Sequence, residues 1–176
     1  MSIEFTIVIL HIIGTILGVG GATMIELHIA QALKDKLFSK DESTFLGIDY
    51  RMVRIGLIIC VLSGFAFLLL DKFEGKTQYL YSGKLWAKLF IVMFIAGNTL
   101  LLQAHAINLY WGSAISFVSW WLAAIVGMFM SNRVQFDFFG TGGSLTTFFS
   151  IMLAYIACVI LGAVILHYVR RRVATN

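Results

Sequence analysis

From Ile7 to Leu33 the chain carries one residue from the Asp, Glu, Lys and Arg set, Glu26, in an otherwise almost wholly apolar run. A run of that length matches a membrane-spanning helix, the form in which a backbone satisfies its own hydrogen bonds where no water can. Comparable runs recur, so spans are predicted over about 4–33, 52–70, 85–109, 113–132 and 146–169. The sequence contains no proline to interrupt them. The expected fold class is all-α: an integral membrane bundle of about five transmembrane helices, forming a single domain over residues 1–176.

Composition narrows the partners. With 60% hydrophobic and only 12% charged residues, little of the chain is left outside a bilayer. The net charge of +4 is no nucleic-acid signal, because three of the basic residues form the block Arg170–Arg172 just after the last apolar run. Such blocks anchor a helix end at the cytoplasmic face. The expected partner is therefore the lipid bilayer, with no nucleic acid and with a second copy or a membrane complex left open. Cys60 and Cys158 both fall inside spans and read as small apolar residues, without a CxxC pattern. The N-terminus has no basic region before its apolar run, so that run reads as a retained span rather than a cleaved signal.

The connections have distinct characters. Residues 34–51 carry mixed charge and suggest a short surface helix. Residues 71–84 are polar, with Tyr79, Tyr81 and Trp86 suited to a membrane boundary. Around Asn108 to Gly112 a tight turn makes spans three and four an antiparallel hairpin. Residues 132–144, with Phe136, Phe138, Phe139, Gly140, Gly142 and Gly143, read as a loop dipping into the interface. That loop lacks the Gly-Lys-Ser/Thr ending of a phosphate loop. Loop charge favours an outside N-terminus and a cytoplasmic C-terminus, with eight basic residues on the second side against five on the first. The expected location is a bacterial inner membrane.

The candidate functional groups are ionisable residues within spans, which are expensive there and rarely ornamental. His11 and His28 lie 17 residues apart in the first span, a rise of about 25 Å. Lys88 and His105 repeat that spacing in the third. Two rungs are therefore expected, His11 with Lys88 and His28 with His105. Gly14, Gly18 and Gly21 share a face with His11, and small residues there let another helix or a flat ligand come close. A neutral imidazole is a ligand for haem iron or another metal, and equally a hydrogen-bonding group at a packing seam. A buried lysine that loses its proton could ligate iron or bind a porphyrin propionate. His11, His28 and His105, with Glu26, are also a candidate set for copper, zinc or iron. Glu26 needs a partner, for which Arg54 or a histidine is expected. His167 borders the arginine block and reads as interfacial. Asn98, Gln103 and Asn108 read as helix-to-helix hydrogen bonders. The scattered methionines lack the clustering of a copper relay.

The sequence His11-Ile12-Ile13-Gly14, with Gly21 ten residues after the histidine, resembles the first helix of the small membrane protoporphyrinogen oxidases. The related copper-resistance D type membrane proteins share this style of helix. Arg51 to Gly64 is similar to the second helix of that family, and Trp86-Ala87-Lys88-Leu89 to the start of its third. The resemblance covers roughly residues 8 to 107. It implies a bound haem b and a functional pair formed by His11 and Lys88, with His28 standing about a turn early for the second histidine of the first helix. Two departures stand out. Gly18 replaces the tryptophan usual after the histidine, and the last two spans differ from the usual fourth helix and add one.

The resulting expectation is a haem b-binding redox protein, a protoporphyrinogen oxidase-like oxidoreductase or an electron carrier to quinone. Its catalytic pair would be His11 and Lys88. His11, Lys88, His28, His105, Gly14 and Gly18 would contact the cofactor, and His11, His28 and His105 would be the metal ligands. The alternatives are a metal-handling membrane protein and a non-enzymatic accessory subunit.

Overall fold

A computed structural model describes residues 2–35, 40–76, 80–129 and 144–175. They form five helices in chain order and no strand: α1 (Ile3–Asp35), α2 (Lys40–Phe73), α3 (Gly83–Gln103), α4 (Leu109–Phe129) and α5 (Ser144–Thr175). All five are long and apolar enough to cross a membrane. Large apolar side chains cover the outside of every helix, among them Ile16, Leu62, Met93, Met128 and Leu161. A surface this apolar is stable against lipid and not against water. The chain is an integral membrane helical bundle.

Helix ends follow local chemistry. The Ser82 hydroxyl caps α3 by accepting from Leu85 N at 3.2 Å, and Asn108 Oδ1 caps α4 by accepting from Tyr110 N at 2.9 Å. At the other end of α3, Ala106 N donates to Leu101 O and His105 N to Leu102 O. That pair of bonds is a Schellman motif, and His105 fills its left-handed position with φ 53°. Gly75, with φ 73°, does the same after α2. The third span was expected to reach residue 109, and the motif stops it at Gln103. His105 therefore lies on an exposed turn rather than on a helix.

Two further boundaries differ from expectation. Among the described residues no separate surface helix precedes span two, because α2 already starts at Lys40 and runs unbroken to Phe73. The α4 helix starts at Leu109, four residues earlier than predicted. The hairpin of α3 and α4 is present, tied by Asn98 Nδ2 donating to Gly112 O at 2.9 Å. The expected interfacial loop over 132–144, save Ser144, lies outside the described residues, as does Tyr79.

The most extensive packing joins α1 to α2, and α4 then links α1, α3 and α5. On α1 the seam is His11, Gly14, Gly18, Gly21, Ile25, His28 and Ala32, with alternating steps of three and four. On α2 it is Leu46, Asp49, Val53, Gly56, Cys60, Ser63 and Phe67, with the same alternation. A repeat averaging 3.5 residues is the pattern of helices that stay in contact over many turns. Backbone meets backbone at its middle: a Cβ on Gly56 would stand 2.6 Å from Gly18 N and 2.7 Å from Gly14 O.

Candidate functional site

The histidines sit towards the two ends of this glycine-rich seam, and α2 holds each by the same ring nitrogen. His11 Nδ1 lies 2.9 Å from Ser63 Oγ, with the Phe67 ring edge-on at 6.2 Å. Ser63 directs its own hydroxyl hydrogen at main-chain oxygens, Ile59 O at 2.6 Å or Cys60 O at 3.2 Å. Its oxygen is thus an acceptor towards His11, which places the ring hydrogen on Nδ1 and leaves a lone pair on Nε2. Near the other end, His28 Nδ1 lies 2.8 Å from Asp49 Oδ2, and its ring stacks on Phe45 at 5.9 Å. A carboxylate accepts from Nδ1–H, so Nε2 of the neutral ring again carries the lone pair. No hydrogen bond occupies either Nε2 among the described residues. An imidazole fixed through one nitrogen and open at the other is the arrangement metal-binding histidines adopt.

Lys88 is on α3, one turn beyond Lys84. Its ammonium makes no hydrogen bond or ion pair among the described residues, and it lies near enough to His11 for their charges to interact. Yet α1 and α3 scarcely touch. His11 and Lys88 thus share a neighbourhood, but Lys88 is an exposed residue of α3 rather than the buried lysine expected, and no hydrogen bond joins the two among the described residues. The second rung takes a different form. His28 has its partners on α2, while His105 stands on the turn that ends α3, and no hydrogen bond or ring contact joins the two among the described residues.

Of the two occupants expected for the glycine face, the structure has the helix. Gly14 packs on Cys60 and Gly56, and Gly21 on Val53 and Asp49. The flat group on Gly18 is the Trp120 indole, whose ring carbons would lie 2.2 Å from a Cβ there. Gly18 thus makes room for a tryptophan from α4 that fills the bundle core. Space beside Gly14 and Gly18 is taken by protein, so these two glycines do not offer the cofactor contact expected of them.

Glu26 is paired with neither Arg54 nor a histidine. Arg170 from α5 reaches it with Nε to Oε1 at 2.7 Å and a second nitrogen to Oε2, forming a two-pronged pair. The same guanidinium donates to Tyr110 O and to Ser113 Oγ on α4. Arg170 is 4% exposed, so one member of the expected surface anchor is turned into the bundle. Arg171 and Arg172 remain exposed. His167 stacks on Trp111 at 4.6 Å, beside a groove of about 200 Å³ lined also by Asn108, Tyr110 and the arginines. Among the described residues no group of three or more His, Cys, Asp and Glu could hold a metal ion. Arg170 has taken Glu26, and His11 and His28 stand 17 residues apart on α1, so the His/Glu metal set is not assembled among the described residues.

Sequence reasoning missed Ser63, Asp49 and Arg170. The first two were visible as a pattern, since Asp49, Gly56 and Ser63 repeat every seven residues, in step with the seam on α1. Arg170 carried no local signal. Comparison with family models, with curated proteins and with solved structures finds no match for this chain.

Proposed function

We propose that this chain is a membrane redox protein that binds haem b at His11, with Lys88 as the second group at the site. The observation that carries the reading is the state of His11: Nδ1 is held by Ser63, Nε2 is open, and the charge of Lys88 lies within interaction range on a helix that barely meets α1. These residues fit a planar ligand that needs one neutral imidazole and a cation for a propionate or a second axial donor. Haem would supply one-electron chemistry, and the helices would set its ligands, dielectric and access. Ser63 would hold the imidazole orientation and Phe67 would exclude water. The resemblance of residues 8 to 107 to the protoporphyrinogen oxidases supports a porphyrinogen or quinone as electron partner. Loop charge supports an outside N-terminus and a cytoplasmic C-terminus.

The test is a dithionite-reduced minus oxidised spectrum of detergent-purified protein, with pyridine haemochrome quantification. A b-type band near one haem per chain, lost in His11→Ala and altered in Lys88→Met, supports the reading. A colourless protein after haem supplementation during expression sinks it. The glycine seam and the hydrogen-bonded histidines favour a second reading, an accessory subunit whose polar groups only join helices. In that case His11→Ala changes stability and no spectrum.

A further inference from the structure

A line of buried polar groups runs from one end of the bundle to the middle of the membrane. It starts at Glu26 and Arg170, which are 7% and 4% exposed. Ser113 continues it, accepting from Arg170 at 2.9 Å. Ser116 and Ser119 follow at successive intervals of three residues along α4, a rise of about 4.5 Å per step. Ser113, Ser116 and Ser119 are 2%, 5% and 0% exposed, and Ser119 stands at the midpoint of α4. There the line meets Tyr155 of α5, 3% exposed, with its ring edge-on to Phe94 at 5.8 Å. The hydroxyls of Ser119 and Tyr155 come close enough to influence one another, but neither has a well-formed hydrogen bond among the described residues.

Two hydroxyls that reach each other without a well-formed hydrogen bond are under-satisfied at the centre of a membrane protein, and no solvent reaches them from the lipid side. A neutral polar site with several partners is where buried water binds. We propose that the α4 serine line binds ordered water at its mid-membrane end, seated among Ser116, Ser119 and Tyr155. The inference is independent of haem.

The experiment is pulsed hydroxyl-radical footprinting of the full chain in lipid nanodiscs, read by mass spectrometry. Tyr155 is expected to oxidise at a rate comparable to Tyr81, which is 79% exposed. Ser116→Val and Ser119→Val are each expected to lower Tyr155 labelling severalfold and leave Tyr81 unchanged. Background labelling of Tyr155 in the unaltered protein, or equal labelling with and without the valines, overturns the proposal. Tyr155→Phe supplies a second readout with no change of shape. Removing a water-bonded hydroxyl lowers the melting temperature. An unchanged or higher melting temperature means the hydroxyl was dry and overturns the proposal.

Discussion

Arg170 grips both carboxylate oxygens of Glu26 across 144 residues of chain, in the interior of a membrane bundle. The pair fastens α5 to α1, and the remaining donors of the guanidinium fasten α4 to both. Breaking one side leaves a buried charge without its counterpart, which costs about 3–5 kcal/mol. Arg170→Ala and Glu26→Ala are therefore expected to lower thermal stability strongly in detergent. The double variant Glu26→Leu with Arg170→Met removes both charges and is expected to recover much of the loss. A double variant no more stable than either single one contradicts the pairing.

The glycines of α1 and α2 are not equivalent. Gly56→Ala forces a methyl into the backbone of α1, and overpacking of this kind costs about 1–3 kcal/mol. Gly20→Ala meets nothing within 4 Å, so only the helix preference acts, favouring alanine by about 0.8–1 kcal/mol. Unfolding of the two variants should therefore shift in opposite directions. A Gly56→Ala protein as stable as Gly20→Ala means that the seam is not in close contact.

What the sequence showed and what it hid separate along physical lines. The five spans are written in composition, since lipid accepts only long apolar stretches with internal hydrogen bonds. The seam on α1 was equally present in the spacing of His11, Gly14, Gly18, Gly21, Ile25 and His28. Its partner was not, because packing between helices depends on which ones become neighbours, and Ser63 looks like any serine in a span. Arg170 looked like a surface anchor for the same reason. The end of α3 stayed hidden because a histidine fills the left-handed position where glycine usually signals the stop.

That position gives a direct prediction. A left-handed conformation costs an ordinary L-residue about 1–2 kcal/mol, and glycine adopts it freely. His105→Gly is expected to raise stability by up to that amount, less the greater entropy of glycine in the unfolded chain. The exposed side chain loses no partner given by the structure. Thermal unfolding reads the sign. If the variant is destabilised, or if haem content falls with it, His105 has a role beyond ending the helix.

The hydrogen bonds that fix the two imidazoles can be tested against each other. Ser63→Ala leaves the Nδ1 hydrogen of His11 without its acceptor, and Asp49→Ala does the same to His28; an orphaned buried donor costs about 1–3 kcal/mol. Asp49→Asn separates two states of the second pair. An amide oxygen still accepts from a neutral imidazole, so this variant is expected to keep most of the stability that Asp49→Ala loses. A charged imidazole would instead lose its counter-ion, and the asparagine variant would fall as far as the alanine one. Measuring all three by thermal unfolding at neutral pH decides whether His28 stands as a neutral base with an open Nε2. Equal losses for Asp49→Asn and Asp49→Ala overturn that assignment, and with it the parallel between His28 and His11.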